Sequence, residues 1–510
     1  MVSNSEGQTL TPSVVLFEDE AVTVGREALK ACQTQADRVA RWVKRDMGNP
    51  TFSQPLAGQH LPPEAIQACI LRQLRNDIVR EVGPDFRAVV TVPAFFDDTR
   101  RRATAEAAEM AGLPLADIVN EPTAAALAFG EKLGYLSGPG TTRQPLTVLV
   151  YDLGGGTFDV TVVRLEPGHI RTLATDGDVH LGGYDWDLRL ADFAAEAFQR
   201  VYGADPRSDL KTRHALLAAA EEAKLALSAR QRSSITIAHA GKRMDVPVTR
   251  ADFEDRTADL LRRTSHTARQ TMTAAGLNWS QIDRVLLVGG ATRMPMVTNM
   301  LRELTGRDPH GEVHPDEAVA RGAALYAAHV LGAQGVAAPA VAVTNVSAHS
   351  LGVEGVDVKT SLRTNYIIIP RNAPLPARVT KKCVTRKPGQ TSVHVNVLEG
   401  ESTLPANCVR IGRAIVRPLP AGLPAGTAVK VTYEYDTSGR LNVLAQIPGT
   451  ECQATLTLER TGARGAPQVA RWREVIAGTP GLPTMTAAKA AEDQEQVMFA
   501  EIIDEALGLD

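Results

Sequence analysis

Two acids bracket three glycines in Asp152-Leu153-Gly154-Gly155-Gly156-Thr157-Phe158-Asp159. Without Cβ atoms, consecutive backbone N–H groups can converge on one anion such as a phosphate. The flanking carboxylates suit a hard cation, held directly or through its water, and the Thr157 hydroxyl can donate to an oxygen. β-formers enter the turn from Leu146 to Tyr151 and leave it from Val160 to Leu165. The pattern predicts a strand, a tight turn and a returning strand. Taken alone, the octapeptide also describes a glycine-rich hairpin with its carboxylates facing solvent, a reading that its strand setting disfavours.

Other chemistry-bearing residues sit at element junctions. Lys44 follows Trp42 and Val43, which places it over a cleft or on an ordinary surface. Glu121 stands between the apolar pair Ile118-Val119 and Pro122-Thr123-Ala124-Ala125-Ala126. Pro122 suits a first helical turn, so Glu121 falls at a strand-to-helix junction, as a functional acid or a surface cap. Arg284 to Pro295 reads as a strand, the turn Gly289-Gly290 and a helix start, whose free N–H groups suit a nucleotide or phosphate. Glu221 and Lys224 lie on a charged helix, His214 to Leu227, that is also compatible with a solvated face.

The elements that must carry these residues alternate. Pro62-Pro63-Glu64 opens a helix with Ile66, Ile70, Leu74 and Ile78 on one stripe. The strand Ala88 to Val92 follows, then a helix capped at Asp97 or Asp98 and running through Met110. This alternation predicts an α/β layer. After a linker rich in alanine and glycine near 332–342, short β-rich pieces at Tyr366–Ile369, Ser392–Leu398, Ala428–Tyr433, Leu441–Ala445 and Ala454–Leu458 predict an antiparallel domain over 346–460. Residues 461–485 read as loose, and 487–507 as a short helix.

The 510 residues carry a formal net charge of −3, and basic residues are interleaved with acids, which argues against nucleic-acid and anionic-membrane partners. The five cysteines form no CxxC pair and the histidines lack ligand spacing, so neither a disulfide framework nor a zinc site is expected. With no apolar run long enough to cross a bilayer and no basic-apolar leader, the expectation is a soluble, cytoplasmic protein.

In their order, the stretches at 120–126, 152–159, 178–187, 289–295 and 315–324 resemble the heat shock protein 70 chaperones of the DnaK type. The resemblance spans residues 5 to about 338 closely and 346–460 more loosely. It implies an actin-like, two-lobed ATPase domain at 1–338, a linker at 339–345, a β-sandwich for peptide at 346–460 and a helical tail within 461–510. The implied cofactors are ATP or ADP with Mg2+, and K+ as a further candidate. By motif position, Lys44 would align the attacking water. Glu121, Asp152 and Asp159 would organise hydrated magnesium, and Gly154, Gly155, Gly156 and Thr157 would contact phosphate. Glu221, Lys224 and Ser228 would face the adenosine, with Gly289, Gly290 and Arg293 on its other side; Leu225 stands where some relatives have arginine. The implied function is ATP-regulated binding of unfolded, extended apolar polypeptide by a monomer, served by a J-domain co-chaperone and a nucleotide exchange factor.

Three departures temper this. The chain opens on Glu6-Gly7-Gln8-Thr9, downstream of the family's first Asp-Leu-Gly-Thr-Thr phosphate loop. Without two or three charge-assisted hydrogen bonds of about 1.5–3 kcal/mol each, ATP binding would weaken by roughly three orders of magnitude. Either the natural start lies upstream, which is the favoured expectation, or the ATPase is degraded; a sheet edge would also be left open. The linker Val341-Ala342-Val343-Thr344-Asn345-Val346 lacks the family's leucines, so a weaker strand addition is expected. The lid is short, which predicts fast peptide release. The competing readings are a nucleotide-sensing scaffold or ATP-independent holdase, and a small-molecule kinase on an actin-like fold.

Overall fold

A computed structural model describes residues 1–19, 21–136, 143–309, 313–332, 341–357, 359–436, 439–458 and 466–478. Its centre is a five-stranded sheet built on the hairpin Leu146–Leu153 and Phe158–Glu166. Arg284–Val288 adds in parallel beside the first of these strands, and His169–Asp178 adds antiparallel beside the second. The hairpin strands are buried almost throughout, which explains their continuous apolar runs in place of alternation. Helices Gly183–Tyr202, Leu210–Ala229 and Ala258–Ala274 contribute to the core on one side, where Trp186, Tyr151, Phe158 and Phe198 are fully buried. Burial of each such ring is worth about 2–3 kcal/mol.

The first 130 residues build a second α/β region. Val14–Phe17 is the middle strand of a three-stranded sheet, and Ala88–Val92 pairs in parallel with Leu115–Asn120. This parallel pair forms a separate two-stranded sheet, in which Ala88 to Thr91 are half-buried. Helix Glu121–Lys132 leaves the end of that pair and crosses helix Ala318–Gly332 at very short range. A Cβ on Gly322 would lie 1.6 Å from the Ala124 carbonyl oxygen, so only glycine lets the two helices meet here. That contact fixes the helix whose first residue is Glu121.

Residues 351–458 form two four-stranded antiparallel sheets that share one apolar core centred on Val397, Val431, Tyr433 and Val443. The predicted strands are present, and three more were not anticipated: Leu351–Val356, Ala377–Val384 and Val409–Val416. Their glycines and charged residues hide the period of two. The strand Ala342–Thr344 pairs in parallel with His169–Arg171 at the edge of the central sheet. His169 Nε2 lies 2.9 Å from Thr344 Oγ1, and Val341 is buried, so small apolar residues suffice for the strand addition.

The antiparallel sheets also touch the α/β region directly. The Glu399 carboxylate accepts the Asp98 backbone N–H at 2.8 Å, Arg371 pairs with Asp176 at 2.9 Å, and the Asn372 side chain accepts from Thr175 N at 2.9 Å. The segment 461–485, expected to be loose, contains the helix Ala466–Gly478. Val469, Trp472 and Ile476 bury against the core of helices Pro63–Val82 and Asp98–Met110, and that docking supplies the stability a short helix lacks alone. The helix expected at 487–507 lies outside the described residues. Among the described residues no helix is long and apolar enough to cross a membrane.

Candidate nucleotide cleft

The hairpin register sets the electrostatics. Asp152 pairs directly with Asp159 across the ladder, so both carboxylates project from one face of the strand ends. Both are buried, and Asp159 accepts the Phe95 backbone N–H at 3.1 Å. Burial, then the nearby Glu121 charge, pushes the Asp159 carboxyl up to about 7. Asp152 is raised well above the usual range by burial, Glu121 and Asp159, against the pull of Lys44. Lys44 Nζ pairs with Glu121 Oε1 at 2.7 Å. Burial lowers the Lys44 pKa, yet Glu121, Asp152 and Asp159 outweigh it and hold the ammonium charged. The Lys44 side chain remains 43% exposed while its charge compensates three acids.

The turn between the acids is clamped from outside. Gly154 N bonds Thr157 O at 3.0 Å, and the start of helix Gly183–Tyr202 donates from Gly183 N to Gly154 O and from Tyr184 N to Gly155 O. A Cβ on Gly182 would fall 2.5 Å from the Gly156 backbone. The N-terminus of a long helix therefore abuts the turn, adding its partial positive charge. Arg45 packs on Gly156 and pairs with Asp185 at 3.0 Å.

The remaining predicted residues lie around the same turn. Lys224 Nζ is 2.8 Å from Asp187 Oδ2 and 3.0 Å from Gly183 O. A Cβ on Gly183 would meet Lys224 Nζ at 3.1 Å, Ala291 at 3.3 Å and Gly154 O at 3.6 Å, so three predicted segments converge there. Glu221 pairs with Arg41 at 2.8 Å, and Ser228 donates to Lys224 O at 3.2 Å. Gly289 bends back over the turn with φ +83°, whereas Arg293 sits 51% exposed in a pair with Asp316. Leu225 is 60% exposed.

Facing buried carboxylates, only partly compensated by Lys44, are hard oxygen donors that fit a divalent cation. Among the described residues no three acidic, histidine or cysteine side chains converge closely enough to hold a metal by themselves, so these acids fit an ion that keeps much of its water.

Beside the cleft, His214 is buried with one ring nitrogen 3.2 Å from Gln54 Oε1. Burial, then Arg213 and Arg41, pulls its pKa down to about 4. Its folded value lies below the unfolded one, so the unfolded chain takes up the proton first. Stability is complete above pH 6.5 and falls as pH drops towards 4. The expected loss between about pH 6.5 and about pH 5 is about 2 kcal/mol. Thermal melts over this range should show it, and His214→Gln should flatten the slope.

A sequence model described as Hsp70 protein matches residues 50–506. The chain belongs to the Hsp70 family. This Hsp70 is 37% identical to the chaperone protein DnaK of Thermosipho melanesiensis over 469 residues, covering 90% of this chain and 76% of that protein. Against the DnaK of Halobacterium salinarum the identity is 37% over 467 residues, with 90% and 71% covered. Against that of Thermotoga maritima it is 37% over 463 residues, with 88% and 75% covered. Chaperone function follows at the level of the family. Four charged groups of this Hsp70 escaped the sequence reading: Arg41, Arg45, Asp185 and Asp187. The last two lie inside the glycine stretch at 178–187, and Arg45 adjoins Lys44, so a wider view of both motifs would have found them.

Proposed function

We propose that the chain is an ATP-regulated chaperone, with an actin-like two-lobed ATPase at 1–338, a linker at 339–345 and a β-sandwich at 346–460 that holds extended apolar segments of unfolded polypeptide. The observation that carries this reading is the strand Ala342–Thr344, which is part of the central sheet and leads directly into the two antiparallel sheets. A nucleotide seated at 154–157 would touch that same sheet, so its presence can bias the contacts through Asp176, Thr175 and Asp98.

In this account Lys44 holds its proton and stabilises charge on the transferring phosphoryl group while aligning water. Glu121 positions Lys44, and Asp152 and Asp159 would hold the hydrated cation. Backbone N–H groups of Gly155, Gly156 and Thr157 would cradle phosphate, while the Gly154 N–H, bonded to Thr157 O, closes the turn that presents them. Lys224, Glu221, Ser228, Gly289, Gly290 and Arg293 line the adenosine side, where binding exchanges the Arg41, Asp187 and Asp316 ion pairs for ligand contacts. Magnesium carried in with ATP would neutralise phosphate oxygens. Catalysis is thus mostly alignment and electrostatics, as phosphoryl transfer to water requires.

The test is equilibrium binding of a labelled extended apolar peptide to the full chain with ADP and with ATP. Affinity at least tenfold lower with ATP is expected. Equal affinities would leave a holdase, and phosphate transfer to a sugar in place of water would support the kinase reading.

A further inference from the structure

The four-stranded sheet ordered Arg363–Ile369, Leu351–Val356, Val393–Glu399, Val409–Val416 borders a cavity of about 460 Å3. Arg363, Arg386, His394, Arg410, Arg413 and Glu354 line it. The acid in this set is already engaged: Glu354 accepts from Arg363 at 2.7 Å and from Asn396 at 2.8 Å. Arg386, Arg410 and Arg413 have no carboxylate within ion-pair distance among the described residues. Arg413 instead contacts His394 Nδ1. Arg363 lies on one outer strand of the sheet, and Arg410 and Arg413 lie on the other.

The bias is regional. Residues 346–460 carry 14 Lys and Arg against 8 Asp and Glu, a net of +6, in a chain of net −3. Exposed apolar side chains are interleaved with the arginines: Val356 is 37% exposed, Leu362 62%, Val384 52% and Val409 38%. Like charges converging on one concavity repel until an anion enters, and the apolar neighbours fit a polypeptide better than a polynucleotide.

We propose that this cavity contacts the client and selects extended segments in which Asp or Glu flanks an apolar residue. The inference rests on the reading that these two sheets hold polypeptide. It departs from purely apolar selection by assigning the charge of the client sequence to particular arginines.

The experiment uses the full chain with ADP and three labelled peptides that share one apolar core, flanked by Glu, by Ser or by Lys. Fluorescence anisotropy should give the Glu-flanked peptide at least tenfold tighter binding than the Lys-flanked one, with the gap shrinking at high salt. The double variant Arg386→Glu with Arg413→Glu should reverse the order, while Arg378→Glu, on the other sheet and paired with Glu434, should not. Equal binding of all three peptides by the unaltered chain overturns the inference and leaves the chaperone reading intact. Binding of none overturns both. Tighter binding of single-stranded DNA than of the Glu-flanked peptide, lost in the double variant, overturns it in favour of nucleic acid.

Discussion

Lys44→Ala is expected to lower magnesium-dependent ATP turnover by about two to three orders of magnitude, the usual cost of deleting one preorganised charge at a reacting phosphoryl group. Lys44 is the cation that pairs with Glu121, and it offsets both Asp152 and Asp159. Its loss leaves three acids facing incoming phosphate, so nucleotide affinity should fall as well. Peptide binding without nucleotide should persist, because the Lys44 ammonium pairs with Glu121 and not with a residue of the antiparallel sheets. Single-turnover phosphate release with the variant checks this, and unchanged turnover would remove Lys44 from the chemistry.

Gly289→Ala should cost about 2–5 kcal/mol of stability and also weaken nucleotide binding. Two penalties add: a backbone at φ +83° and ψ 143°, which a residue with a Cβ adopts only at a cost of roughly 1–2 kcal/mol, and overpacking of about 1–3 kcal/mol. The second is set by geometry, since the new methyl would lie 2.4 Å from Leu153 O and 2.9 Å from Asp152 Oδ1. Both atoms belong to the acidic turn, so relief of the clash displaces the group expected to face the cation. Gly203 separates the two effects, because its φ is +73° and a methyl group there would have no neighbour within 4 Å. Gly203→Ala should cost only the backbone penalty and leave nucleotide binding unchanged. Denaturant melts together with ATP calorimetry distinguish the pair.

The hairpin and its acids were legible because a run of β-formers on each side of the glycines defines the register, and Asp152 then faces Asp159. Ala88–Val92 was legible as a β-branched run, and of the two caps offered, Asp97 or Asp98, it is Asp97 whose side chain accepts from Arg100 N at 2.9 Å. Pairs between distant segments were not. Lys44 with Glu121, Arg41 with Glu221 and Lys224 with Asp187 depend on how helices pack, and no local period encodes that. The helix Ala466–Gly478 was missed because glycine and proline surround it, whereas its stability comes from Val469, Trp472 and Ile476 docking on distant helices. The strand Ala377–Val384 was missed because its exposed lysines interrupt the apolar alternation, although it pairs over its whole length with Ala428–Tyr435.

On the proposed function, nucleotide at the 152–159 turn controls polypeptide held by the antiparallel sheets. The most direct measurement is the release rate of a prebound labelled peptide when ATP is mixed with the full chain in a stopped-flow instrument. Acceleration of at least tenfold over mixing with ADP, lost when the bridging pair is broken by Arg371→Glu, is the predicted result. A release rate indifferent to ATP, in a chain that calorimetry shows to bind it, would contradict the account.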